Sequence, residues 1–150
     1  VRRISFRDGG SFLLSDTVGF IRKLPPELVA AFRATLEEVS EADLLLLVID
    51  SADKDPVGNM EIVLETLKEL KADGLPRIIV LNKIDKTGSE AEFIAMELRA
   101  RGEDTVKVCA LTGEGFEELL ERVKRHASEY FERRMALPLE EIMTQATDGM

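Results

Sequence analysis

The sequence predicts an α/β fold: a mostly parallel sheet, an antiparallel hairpin at the N-terminus, and helices on both faces. Apolar runs at residues 44–49 and 78–81 each end on a polar residue, as strands covered on both faces do. The segments between such runs carry apolar residues at helical spacing. Ile4 and Phe6, then Phe12, Leu13 and Leu14, flank Asp8-Gly9-Gly10, the composition of a tight hairpin turn. At 150 residues, 45% of them hydrophobic, the chain is sized for one ordinary domain.

The elements follow in order. After the hairpin, Pro25-Pro26 opens a helix with Leu28, Val29, Phe32, Leu36 and Val39 on one face. The run at 44–49 is a strand ending at Asp50. Residues 60–71 form a helix with Ile62, Val63, Leu67 and Leu70 on one side and Gly74 as its C-cap. Ile78-Ile79-Val80-Leu81 is a strand ending at Asn82. Ser89 and Glu92 make a capping box for a helix reaching about Arg101. Residues 106–109 are a third strand. Phe116, Leu119, Leu120, Val123, Ala127, Tyr130 and Phe131 mark one long amphipathic helix, and the residues after Pro138 carry only weak helical patterning.

Twenty basic residues against twenty-nine acidic ones leave a net charge of −9, which argues against gripping DNA or RNA through a broad basic surface. A single cysteine makes no internal disulfide and fits a reducing, cytoplasmic setting. The longest apolar run has six residues, so no membrane span is expected. The first residue is Val1, not Met, and it falls inside an expected strand.

Open α/β sheets bind ligands beyond the carboxyl ends of their strands, so the strand-ending residues are the candidates for chemistry. Asp16-Thr17-Val18-Gly19 follows the hairpin, Asn82-Lys83-Ile84-Asp85 the second buried strand, and Cys109-Ala110-Leu111 the third. Asp-x-x-Gly arises by chance about half a time in a chain of this length, and Asn-Lys-x-Asp on the order of a few hundredths of a time. A carboxylate at Asp85 can accept from both the ring N–H and the exocyclic amine of guanine. Adenine would leave it unpaired, and sites of that kind discriminate strongly. Lys83 can lay its methylene stem on the base with its ammonium in water. Asn82 suits tying adjacent loops together, and the Ala110 N–H suits the guanine carbonyl.

Asp50 carries no motif and reads as a loop or cap residue. His126 reads as structural or solvent-facing, and Cys109 as a buried small hydrophobe.

The stretch from Leu14 to Pro25, Leu-Ser-Asp-Thr-Val-Gly-Phe-Ile-Arg-Lys-Leu-Pro, resembles the switch II region of the HflX family of translational GTPases. The likeness continues through residues 28–39, and Ala110-Leu111-Thr112-Gly113-Glu114-Gly115 is similar to the family's last guanine-binding loop. It covers about residues 1–131. The resemblance implies a P-loop NTPase fold of the small-GTPase type, a three-layer sandwich. It also implies GTP or GDP and Mg²⁺ as ligands, and a cytoplasmic parent that binds the large ribosomal subunit and splits or rescues stalled ribosomes. By the same resemblance Asp16 holds Mg²⁺ through a water, and the Gly19 N–H faces the γ-phosphate, with Thr17 and Val18 beside it. Phe20 occupies the place of the glutamine that orients the attacking water in many GTPases. The lesser reading of Phe20 is a core residue, and packing would not prevent it from displacing the glutamine. Cys109 stands where the family usually has serine, which removes a hydroxyl donor and leaves the backbone contact from Ala110.

No Gly-x-x-x-x-Gly-Lys-[Ser/Thr] occurs in the chain. The resemblance puts that loop and its strand upstream. Residues 1–134 are accordingly expected to be part of a G domain lacking its first strand and phosphate loop, with 135–150 as a tail or short helix. The missing strand would lie between those ending at Asp16 and Asp50, leaving a gap or a non-native pairing. Hydrolysis by these residues alone is expected to be poor or absent. The rival readings are a non-catalytic interaction module and another guanine-nucleotide-binding ribosome-assembly protein.

Overall fold

The computed structural model describes residues 1–16 and 39–136, without the side chains of 131–136. Thr17, Val18, Gly19 and Phe20, most of the helix expected from Pro25 to Val39, and the tail from 137 lie outside the described residues.

Strands β1 (Arg2–Ser5) and β2 (Ser11–Leu14) pair antiparallel, with Ser5 opposite Ser11. Their turn is closed by the Phe6 N–H donating to the Gly10 carbonyl at 3.0 Å. Strands β3 (Leu45–Asp50), β4 (Arg77–Asn82) and β5 (Thr105–Lys107) form a separate parallel sheet with β4 in the middle. The connections are helices α1 (Pro56–Glu69), α2 (Ile84–Thr87) and α3 (Ser89–Ala100), and α4 (Phe116–Ala136) closes the chain of described elements. Helix α4 runs two residues past the boundary expected at 134.

Alternation along β3 and β4 divides the core in two. Leu45, Leu47, Ile49, Ile79 and Leu81 face α1 and α3, where Met60, Leu67, Ala91, Ala95 and Leu98 complete a buried cluster. Ile78, Val80, Val106 and Val108 face the other way, onto Val123 and Leu119 of α4 and onto Phe6 and Phe12 of the hairpin. Each large aliphatic side chain so buried contributes about 1.5–3 kcal/mol. The hairpin is tied to α4 further by Lys124, which pairs with Asp8 and lies 5.9 Å from the Phe6 ring centroid.

The hairpin and the parallel sheet do not pair with each other among the described residues. Among the described residues β3 has a ladder on one side only, and Val48 on it is 63% exposed.

Two local expectations are corrected. Ser89 and Glu92 make no capping box: Ser89 is already inside α3, Gly88 precedes it, and no side chain caps that end. The short helix α2 brings the chain into α3 one residue early, and Glu92 is drawn to Lys107 of β5 instead. Gly74 is not the C-cap of α1 either. The left-handed residue is Lys71 (φ 58°), where the Lys71 N–H donates to the Lys68 carbonyl and the Ala72 N–H to the Leu67 carbonyl, a Schellman ending. At its start α1 begins at Pro56, earlier than expected, because Asp55 caps it by accepting from the Gly58 N–H at 3.0 Å.

Arg77, at the start of β4, donates twice to Glu103, at 3.0 and 2.6 Å, and once to the Asp73 carbonyl at 2.9 Å. The Glu103 hydrogen bond raises the guanidinium pKa further. This fork joins the α1–β4 and α3–β5 connections. Glu103→Ala is expected to cost about 1–2 kcal/mol by leaving a partly buried guanidinium short of acceptors. Urea melts of the variant against the unsubstituted protein would show it as a lower midpoint at unchanged slope.

Candidate functional site

Parallel register sets the site. Asp50 of β3 lies opposite Asn82 of β4, so both strands end level, and the Ser51 N–H continues the ladder to the Asn82 carbonyl at 3.0 Å. Beyond these ends Asn82, Lys83, Asp85, Lys86, Cys109, Ala110 and Leu111 surround a pocket of about 210 Å³. That is below the range of about 300–1,000 Å³ for whole-ligand clefts and matches one base better than a complete nucleotide. A larger groove of about 450 Å³, lined by Glu61, Leu64, Glu65, Lys68, Asp73 and Arg77, lies at the opposite, amino end of β4. Its place in the sheet is the wrong one for a ligand site, and the smaller pocket is the better candidate.

Asn82 lines the pocket, and its Oδ1 accepts from the Ala110 N–H at 3.0 Å. This joins the β4 and β5 loops as its residue type suggests. It also means that the Ala110 N–H already has an acceptor, which a guanine carbonyl would have to share or displace. The loop 109–115 is closed by the Cys109 N–H to the Glu114 carbonyl at 2.9 Å and the Gly113 N–H to the Cys109 carbonyl at 2.8 Å. Cys109 is buried, while Leu111 is 87% exposed. Asp85 sits exposed in the first turn of α2.

Lys83 adopts φ 62° and ψ 36°, a left-handed conformation uncommon for a residue with a β-carbon. Its ammonium donates to Asp50 Oδ2 at 2.8 Å, and Asp50 Oδ1 accepts from the Ala52 N–H at 2.9 Å. Asp50 is therefore more than the loop or cap residue expected from sequence. The hydrogen bond from Lys83 holds its carboxyl below the ordinary 3.8, against a smaller opposing effect of burial, and the same bond raises the Lys83 ammonium above 10.5. A depressed carboxyl contributes above its ordinary value and loses that contribution as pH falls through the depressed one. A raised ammonium contributes below its ordinary value and loses it as pH climbs through the raised one. The pair thus persists across the whole neutral range. Lys83→Gln is expected to return the Asp50 carboxyl toward 3.8, followed by carboxyl-carbon NMR against pH.

Asp16 is exposed, two residues past β2, and is not among the residues lining the pocket. Thr17, Val18, Gly19 and Phe20 lie outside the described residues. Asp50 and Lys86 are the pocket neighbours that motif spacing does not reveal, and His126 of α4, read as structural or solvent-facing, meets Asp104 at 3.3 Å; neither His126 nor Asp104 lines the pocket.

Residues 32–129 match the elongation factor Tu GTP binding domain. GTPase HflX of Magnetococcus marinus is 50% identical over 125 residues, 83% of this chain and 28% of that protein. GTPase HflX of Escherichia coli is 40% identical over 142 residues, 94% of this chain and 33% of that protein. The chain thus spans about a third or less of the length of these curated relatives. The crystal structure of an SsGBP–GDP complex superposes with a TM-score of 0.71 at 31% identity, over 86% of this chain and 42% of the other. The long family match, joined to the strand-end pocket that gathers Asn82, Lys83 and Asp85, leads to one conclusion: the chain belongs to the elongation factor Tu GTP-binding domain family, with the HflX GTPases.

Proposed function

We propose that this chain reads the guanine base for an HflX-like GTPase. The observation that carries the proposal is the convergence of Asn82, Lys83, Asp85, Ala110 and Leu111 on one base-sized pocket at the carboxyl end of the parallel sheet. Asp85 accepts from the guanine ring N–H and exocyclic amine. Lys83 covers one face of the base with its stem, and the exposed Leu111 side chain is an apolar surface for the other. The GDP held in the SsGBP complex supports the ligand class.

Asp16 is the metal-side residue of this proposal. Among the described residues no group of three or more metal-binding side chains occurs. A lone carboxylate fits Mg²⁺ held mostly by phosphate oxygens and waters. Bound there, Mg²⁺ would offset charge on the terminal phosphates. Thr17, Val18 and Gly19 complete the phosphate side, with Phe20 at the glutamine position, and residues 1–134 form the G-domain portion. A phenyl ring cannot hydrogen-bond a water, so its orientation must come from another group.

For the whole protein we infer GTP hydrolysis in the cytoplasm on the large ribosomal subunit, in ribosome splitting or rescue. Support comes from the likeness to GTPases named HflX and from the absence, among the described residues, of a helix long and apolar enough to cross a membrane. Turnover by the full-length gene product is expected to be slow alone and to rise with ribosomes. Equal rates with and without them would count against this part of the proposal.

The base-reading role is tested by calorimetric titration with GDP and Mg²⁺, with ADP as control. GDP-selective heat is expected. Equal binding of both nucleotides, or of neither, would overturn it. In the second case a nucleotide-free interaction module gains weight, a reading favoured by the ladder that β3 forms on one side only among the described residues.

A further inference from the structure

We propose that the end of β3, Asp50 with Ser51, presets the guanine-reading segment 82–87, with Asp50 as the positioning residue for Lys83. This rests on the base-reading role of the pocket and names residues that no guanine-binding motif includes.

Three contacts fasten segment 82–87 from behind. The Ser51 N–H donates to the Asn82 carbonyl at 3.0 Å. The Ser51 hydroxyl, 3% exposed, meets the Thr87 hydroxyl at 3.0 Å, at the end of the short helix that carries Asp85. Asp50 takes the Lys83 ammonium at 2.8 Å. The carboxylate is itself oriented, because its other oxygen is occupied by the Ala52 N–H. Asp50 therefore has one oxygen left and a single direction in which to offer it.

The consequence follows from side-chain entropy. A lysine on an exposed loop samples many rotamers, and a ligand that stacks on its stem must select one. Lys83 is half exposed, and the ion pair at its tip narrows that choice. With the backbone already left-handed and the ammonium tethered, the methylene stem between them has little freedom, and it borders the pocket. Loss of the tether returns the ordering cost to the binding step.

The test is GDP affinity in the full-length gene product. Asp50→Asn keeps an oxygen for the Ala52 N–H and removes the charge. It is expected to weaken GDP about three- to tenfold, the range for ordering one long side chain. Asp50→Glu, which keeps the charge, is expected to recover the larger part. In the Lys83→Gln background Asp50→Asn is expected to add no further loss, because the two residues act as one unit. A purely structural role for Asp50 would instead give additive losses and no rescue by glutamate, and that result, or an unchanged affinity in Asp50→Asn, overturns the proposal while the base-reading role stands. Failure of the unsubstituted protein to bind GDP overturns both. A thermal melt of each variant separates loss of folding from loss of affinity. Ser51→Ala gives a second, uncharged handle on the same segment, expected to lower GDP affinity by about twofold or more through the freed Thr87 end.

Discussion

Asp85→Asn is expected to weaken GDP binding by about 100-fold or more and to improve binding of xanthosine diphosphate. The carboxylate offers two acceptors to the two donors on the guanine edge, each charge-assisted bond contributing about 1.5–3 kcal/mol. An asparagine keeps one acceptor and turns a donor toward the exocyclic amine, so one bond is lost and a donor–donor contact replaces it. Xanthine carries an oxygen where guanine has that amine, and the same amide then donates to it. Parallel titrations with both diphosphates measure the exchange. Equal weakening of both would mean that Asp85 supports the loop without reading the base. Asp85 is exposed at the start of α2, so the substitution leaves the core untouched, and an unaltered thermal midpoint is expected alongside the change in preference.

The second large effect concerns Gly115. It has φ +82°, and a β-carbon there would overlap the Lys107 carbonyl oxygen and come within 3.1 Å of both the Lys107 carbonyl carbon and the Val108 Cα. The atoms in the way belong to backbone at the end of β5, which cannot swing aside as a long side chain does. Gly115→Ala is expected to cost about 3 kcal/mol, combining left-handed strain with the overlap. For a chain of this size that corresponds to about 6–12 °C in Tm. Gly113 makes the control: its φ is +83°, yet nothing lies within 4 Å of where its β-carbon would stand, so Gly113→Ala is expected to cost about 1–2 kcal/mol from backbone strain alone. Because the 109–115 loop holds Ala110 beside Asn82, Gly115→Ala is also expected to weaken GDP binding. Matching losses of stability in the two variants would show that the close approach to Lys107 is not tight in solution.

Much of the architecture is legible along the chain. The runs at 44–49 and 78–81 are strands as their apolar composition predicts; Ile78–Leu81 are all buried, as coverage on both faces requires, whereas along β3 Leu45, Leu47 and Ile49 are buried and Val48 on the other face is exposed. The long α4 pattern is equally plain, since its apolar residues keep one face over many turns. Local signals fail where a distant partner outweighs a nearby one. Glu92 has the spacing of a capping residue, yet the Lys107 ammonium on β5 gives a carboxylate more than a backbone N–H does, and its carboxyl is held below the usual range by that bond. Gly74 has the residue type of a C-cap, yet the helix closes three residues earlier, where a left-handed Lys71 lets the Lys71 and Ala72 N–H groups reach the last carbonyls and buries Ala72.

Residue type and spacing along one segment suffice for the fold class and for the strand ends at Asp50 and Asn82, whereas the strand expected over 106–109 is found at Thr105–Lys107. They suffice also for the three residues Asn82, Lys83 and Asp85 that point to guanine. Only the tertiary structure decided what those residues rest on. Asp50 is thirty-three positions from Lys83 and shows no pattern around it; the two meet because parallel pairing sets Asp50 level with Asn82. The same pairing brings Ser51 to Thr87, and the turn after β5 brings the Ala110 N–H to Asn82. A motif names the groups that touch a ligand, while the partners that hold them still are chosen by strand register, which no local stretch of sequence encodes.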